Sequence, residues 1–437
     1  MSTGAKQRTA PWVLIAAGLL PAAITAGMLW WLIPSGGWKI FGIWTEPSVI
    51  GWSTGFADLA YITATADCMS AGTDIATCDP YGRPFTPYTV IPSSVLRALG
   101  LGLQQTGVLG VGLAVIWVAL VGALSLLVVT RWHRGGASGA VGLIAALAAI
   151  TLLAISPAVL LGVERGTVDI LIAALAAAGL LLFARPASGA VTKTVGAIAL
   201  LIASILKYFA VGVFAVFLAP RRWSWIGAAA GAATIVFLIW NFEDLLVAQG
   251  TARSTIVSTT RIMFSSTTGI VTWLVPDPLA FTPPANQVLN PTLLKAVGAL
   301  IFLALIALFV ALLHKSQTSN KQIDDASWYL IVGGSFILAV PYLLGESNDY
   351  RLLFLVLPLA GILVWIGQGG PQPLLWPIVA AVVFACLTGS SMVTNDAGFI
   401  IPKAALIIGD FALAVALAFG VALWCWAWTM KFAARKT

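Results

Sequence analysis

Apolar runs of about 20 residues, the length that carries a helix across the hydrocarbon core of a bilayer, recur along this sequence with only brief polar punctuation between them. They occupy residues 12–33, 106–130, 140–163, 167–184, 195–220, 225–240, 293–313, 328–345, 352–366, 374–388 and 404–429. Only 9% of residues are charged, against about a quarter in soluble domains. The chain therefore reads as an all-α polytopic membrane protein, with residues 1–437 forming one integral-membrane domain. The first run follows Lys6 and Arg8, exceeds the length of a signal-peptide core and is not closed by an A-x-A site, so it is expected to remain as a span.

The positive-inside rule sets the topology once one run is read as broken. If every run crosses once, the RRW after Pro220, the HKSQTSNKQ segment and the KFAARK tail all fall outside. Run 195–220 is interrupted by Lys207 in SILKYFAV. Two half-length helices meeting near Lys207, entering from and returning to one side, move all three clusters inside. Each arm is then about 12 residues, or about 18 Å, and a broken helix at that depth must be buried in protein or line a cavity. The inner side then carries 13 basic residues against Asp324 and Asp325, a balance of +11. The remaining 10 basic and 14 acidic residues give −4, and the two recover the formal +7. Carboxylates concentrate outside, so acid–base chemistry is expected there, and both termini are expected inside.

Two long polar segments fall on that outer side, residues 34–105 and 241–292. The first holds Asp58, Asp67, Asp74 and Asp79, two of the four cysteines, and the turn-rich CDPYGRPFTPY. Asp58 lies in GFADLAYI, read as a short helix at the membrane surface. There a carboxylate beside an apolar wall suits a general base, and the alternative is a capping or solvated residue. Asp79 and Arg83 pair locally or touch substrate, Asp67 and Asp74 are expected to be solvated, and Cys68 with Cys78 is a disulfide candidate.

Glu164 and Arg165 close the third run, with Asp169 four residues on. If the helix continues through Gly166, Arg165 and Asp169 share a face and form either a structural pair or a substrate contact. Lys207 either snorkels to the surface or binds a phosphate as a point charge. In ESNDYR, Arg351 suits bidentate phosphate binding and Asp349 would orient it. Arg253 and Arg261 in the second long segment are a lesser candidate. His133 and His314 have no ligand-spaced partners, so no metal set is visible. Neither a phosphate-binding loop nor a nucleophile elbow occurs, which argues against an ATP-driven pump and a serine hydrolase.

FADLAYI with CDPYGRPFTPY, then ERGTVDILIAALAAAGLLL, SILKYFAVGVFAVFLAPRRW and ESNDYRLLFLVLP, together resemble the integral-membrane GT-C glycosyltransferases. Within these the resemblance is to glycosyltransferase family 87, which includes the mannosyltransferase of phosphatidylinositol-mannoside synthesis. It implies a GT-C-like bundle of about 11 to 12 transmembrane helices with a re-entrant pair, in a bacterial plasma membrane, with the active site in periplasmic loops. It also implies an inverting transfer of mannose or another sugar from a polyprenyl-phosphate donor to a lipid or glycan acceptor. Asp58 matches the general base, and Lys207, Arg351 and Arg165 are the expected phosphate ligands. Glu164, Asp169, Asp349, Asp79 and Arg83 are placed in support. No cofactor is expected, with a divalent metal left open because Asp58 lacks the acidic neighbour of other GT-C enzymes. The partners are the lipid donor, the acceptor and membrane lipids, with no nucleic acid. The alternatives are a transporter or flippase for a lipid-linked saccharide, whose internal repeats are not seen, and a polysaccharide polymerase or ligase using a lipid diphosphate.

Overall fold

The computed structural model describes residues 11–35, 56–73, 90–135, 139–185, 189–220, 223–241, 263–264, 291–316, 323–344, 347–388 and 403–434. Asp74, Asp79, Cys78, Arg83, Arg253 and Arg261, all weighed above, lie outside them. The helices are α1 (Pro11–Ser35), α2 (Ala57–Ser70), α3 (Val90–Ala98), α4 (Thr106–Gly135), α5 (Ala140–Ala154), α6 (Pro157–Glu164), α7 (Asp169–Phe183) and α8 (Ala190–Leu206). After a 3-10 arm, Tyr208–Leu218, come α9 (Trp225–Trp240), α10 (Pro291–Ser316) and α11 (Asp325–Leu344). A second 3-10 segment, Asp349–Leu355, leads into α12 (Val356–Gly367), followed by α13 (Gln372–Thr388) and α14 (Lys403–Ala434). The described strands, β1 (Met263–Phe264) and β2 (Ser347–Asn348), form one short antiparallel pairing. Among the described residues, five helices are long and apolar enough to cross a membrane, or six when α5 and α6, bent by 46°, count as one span. The fold is all-α and polytopic.

Small residues set the register of this bundle. Gly18 lies against Leu126 and Gly122 against Ala22, so α1 and α4 run antiparallel. Gly179 meets Leu200 and Gly196 meets Phe183, which aligns α7 and α8 in the same way. In lipid, where helices gain little from further apolar burial, such close backbone approach is the main source of association. Every residue of α12 is buried, as expected of a helix that is apolar all round and central to its bundle. At one end Arg131 and Asp324 pair at 3.4 Å, and Gln368 donates to Asp324 at 2.8 Å.

The break at Lys207 is a reversal of direction. Lys207 sits beside Asp169 at the start of α7, whereas Phe217 stacks 4.3 Å from Phe183 at its other end. The 3-10 arm therefore returns to the level at which α8 began. Its length differs from the expectation of two short arms of about 12 residues: α8 has 17 residues and the arm 11. At about 2.0 Å per residue the arm covers about 22 Å. That matches the 15 residues of α7 at about 1.5 Å each, so the tighter helix lets fewer residues span the same depth. α9 then packs back antiparallel, with Gly227 against Phe217 and Gly231 against Phe214.

Tryptophans mark two interfaces on the lipid-exposed helices. Trp12 and Trp30 on α1 are 71% and 81% exposed, and Trp225 and Trp240 on α9 are 71% and 86% exposed. Each pair is separated along its helix by about 22 to 27 Å, close to the hydrocarbon thickness that aromatic belts bracket. The 16-residue α9 is thus long enough to carry an indole at both boundaries.

Candidate functional site

The site grows out of the segment ERGTVD, which ends α6 and starts α7. Glu164 closes α6, and Gly166 follows the capping residue Arg165 with φ of 62°. The Gly166 amide donates to the Val163 carbonyl at 3.0 Å and the Thr167 amide to the Gly162 carbonyl at 3.1 Å. This pair of bonds closes a helix through a left-handed glycine. Thr167 then accepts from the Asp169 amide at 3.4 Å and donates its hydroxyl to the Asp169 carboxylate at 3.2 Å, opening α7. The helix does not continue through Gly166, so the expected shared face of Arg165 and Asp169 is corrected: the two side chains find different partners.

Arg165 turns to Asp58. Its Nε donates to Asp58 Oδ1 at 2.9 Å and its Nη2 to the same oxygen. Backbone bonds run parallel to this contact, from the Asp58 amide to the Arg165 carbonyl at 2.8 Å and from the Phe56 amide to the Glu164 carbonyl at 2.6 Å. Carbonyls left unpaired at the end of α6 thus satisfy amides left unpaired at the start of α2. The two dipoles run head to tail, with Asp58 in the first turn of α2, where a carboxylate is favoured. Phe56 adopts φ of 67°, a conformation costing about 1–3 kcal/mol that surrounding structure must hold. Its ring occupies the space left at Gly110 of α4.

A Cβ on Gly166 would stand 3.0 Å from the Cβ atoms of both Leu59 and Phe56, at a positive φ. Gly166→Ala is therefore expected to lower the melting temperature of the solubilised protein by more than Gly100→Ala. Gly100 also has positive φ (68°) but open space around it, so it isolates the backbone cost of about 1 kcal/mol. Equal shifts for the two variants would show that the α2–α6 junction does not depend on this close approach.

Asp169, fully buried, anchors the second half of the site. Lys207 Nζ lies 2.8 Å from its Oδ1 and Arg351 Nε 3.8 Å from its Oδ2. Lys207 is 8% exposed and does not snorkel to the surface. It occupies the extended residue (φ −149°) between α8 and the 3-10 arm. The Arg351 guanidinium rests 4.7 Å from the centroid of the Phe209 ring, a cation–π contact. Arg351 comes from the 3-10 segment just after β2, so the β1–β2 pairing lies beside the residue that reaches Asp169.

Residues separated by 107 positions (Asp58 and Arg165) and by 144 (Lys207 and Arg351) thus meet at one end of the bundle. Asp58, Arg165, Asp169, Lys207 and Arg351 are brought together, and Asp58 is close enough to Lys207 and to Glu164 for their charges to interact. Among the described residues, three acids, Asp58, Glu164 and Asp169, gather with three bases, Arg165, Lys207 and Arg351. Lys207 and Arg351 stand around Asp169, whereas Arg165 stands with Asp58 and Glu164. Asp349 belongs to the 3-10 segment by its backbone, and its side chain lies outside the described residues.

Other residues are placed more simply. Asp67 is exposed, as expected, and also accepts from the Leu103 amide at 2.9 Å, capping the turn that leads into α4. Cys68 is disulfide-bonded, while Cys386 and Cys425 are free. Its expected partner, Cys78, lies outside the described residues. No group of three or more metal-ligating side chains occurs among the described residues. Thr167 and Phe209 were not singled out from sequence. Gly-Thr-x-Asp after an apolar run was a readable helix stop and start, whereas nothing local marks Phe209.

Fold and site define a multi-pass helical membrane protein with a cluster of acidic and basic side chains at one end of its bundle. Comparison with protein-family models, curated proteins and solved structures gives no match for this chain.

Proposed function

We propose that the protein is an inverting glycosyltransferase that moves a sugar from a polyprenyl-phosphate donor to a lipid or glycan acceptor. The observation that carries this reading is the paired site: one carboxylate held by its Oδ1 beside a cluster in which two cations meet one buried carboxylate. Asp58 Oδ2 takes the proton of the acceptor hydroxyl, whose oxygen bonds to the anomeric carbon as the bond from that carbon to the phosphate oxygen breaks. The electron pair leaves with the phosphate. Lys207 and Arg351 stabilise that charge, preorganised in a site shielded from water. A phosphate leaving group needs cations in place of a protonating acid, and no nucleotide is required.

Incubation with decaprenyl-phosphate mannose and membrane glycolipids is expected to release decaprenyl monophosphate together with a mannosylated lipid. Diphosphate release from a lipid-diphosphate saccharide, with no use of the monophosphate donor, would overturn the reading in favour of a polymerase or ligase.

The order of the helices supports a topology of about twelve crossings in a bacterial plasma membrane, counting the 3-10 arm and the paired segments α5–α6 and Asp349–α12. Both termini and the Arg131–Asp324 end are cytoplasmic, and the Asp58 end is periplasmic. A cysteine replacing Ser316, at the end of α10, is expected to react with an impermeant maleimide only in inverted vesicles. Labelling in intact cells would reverse the orientation.

A further inference from the structure

Glu164 is the ionisable group that the proton transfer and phosphate stabilisation leave unused. It is 5% exposed, and its Oε2 has no hydrogen-bond partner. Neither helix electrostatics nor its neighbour accounts for it. Glu164 ends α6, where the helix carbonyls disfavour negative charge. Arg165, next in sequence, gives its Nε and Nη2 to Asp58. Yet its position is tightly set, because its carbonyl accepts the Phe56 amide at 2.6 Å and Ala158 to Val163 of the same helix are all buried. A buried acceptor held this firmly and left open is suited to a donor that arrives with a ligand.

The surroundings select the kind of donor. Glu164 shares its half of the site with Asp58, whereas Lys207 and Arg351, the cations assigned to the phosphate, stand around Asp169. What remains of a sugar phosphate once its anionic end is placed at Lys207 and Arg351 is neutral and bears hydroxyls. We infer that Glu164 is a sugar-binding residue whose unpartnered carboxyl oxygen hydrogen-bonds a hydroxyl of the sugar being transferred. The inference rests on the glycosyltransferase reading and adds to it the residue that recognises the sugar.

Two lipids test this: decaprenyl phosphate, and decaprenyl phosphate carrying mannose. Affinities of the detergent-solubilised full chain for each are measured in the wild type, Glu164→Met and Glu164→Gln. In the wild type the mannosyl lipid is expected to bind more tightly. In Glu164→Met that advantage falls by about tenfold, affinity for decaprenyl phosphate is kept, and the melting temperature of the unliganded protein holds or rises, because an unpaired buried acceptor has been removed. An advantage that persists in Glu164→Met alongside a lowered melting temperature makes Glu164 a structural residue and overturns the inference alone. A wild type that binds neither lipid overturns the glycosyltransferase reading and the inference together. If Glu164→Met does not fold, the isosteric Glu164→Gln decides by the same affinity ratio: a reduced advantage supports the assignment and an unchanged one ends it.

Discussion

Replacing Asp58 by asparagine is expected to lower sugar transfer by about 10²- to 10⁴-fold, the range supplied by a positioned general base, with donor binding retained. The expectation rests on what the substitution leaves in place. The amide oxygen of the new side chain still accepts from Arg165 Nε and Nη2, and the backbone bond from residue 58 to the Arg165 carbonyl at 2.8 Å does not involve the side chain. Phe56 keeps its bond to Glu164, so α2 stays docked on the end of α6. What disappears is the anionic oxygen proposed to take the proton. The loss should therefore fall on turnover, with the affinity for decaprenyl-phosphate mannose within a few-fold of wild type. Initial rates at saturating donor, with the melting temperature as a control for folding, measure it. Turnover close to wild type in a folded Asp58→Asn protein would remove Asp58 from the mechanism.

How far this arrangement could be read from the chain depends on the range of the interaction. The apolar runs and the hairpin at Lys207 were legible, because span length and the placement of RRW, HKSQTSNKQ and KFAARK are constraints summed over many residues. The gathering of Asp58, Lys207 and Arg351 at one end followed from that topology alone. Individual partners were not legible. Arg165 had two acids within reach, Asp169 by helical spacing and Asp58 by topology, and the choice turned on the φ of Gly166. A single left-handed residue rotates everything after it, sending Asp169 to Lys207 and leaving Arg165 to Asp58. The 3-10 geometry of Tyr208–Leu218 was hidden for a related reason: its composition is that of any apolar helix, and the tighter winding reflects the depth it must cover against α7 and α11.

The largest effect on stability is expected at Asp169, which holds two cations in the interior. Asp169→Leu removes the one carboxylate that meets both Lys207 at 2.8 Å and Arg351 at 3.8 Å, and leaves both charges without that partner. Breaking a buried pair from one side costs about 3–5 kcal/mol, because the surviving charge has lost its solvent and its counter-ion together. Lys207→Met is expected to cost less, since Asp169 keeps Arg351 and its Thr167 hydrogen bond. The informative protein is the double variant. There a leucine and a methionine side chain meet where the ion pair stood, an exchange that is often neutral or stabilising when volumes match. Asp169→Leu with Lys207→Met should therefore unfold at a higher denaturant concentration than Asp169→Leu alone, a coupling of the kind that double-mutant cycles resolve. Arg351 keeps the recovery short of wild type. Additive losses would mean that the 2.8 Å contact contributes little and that Asp169 acts through Arg351. Recovery of stability with loss of affinity for decaprenyl phosphate would separate the proposed phosphate-binding role of Lys207 from its structural one, because an apolar pair can fill the space but cannot hold a phosphate.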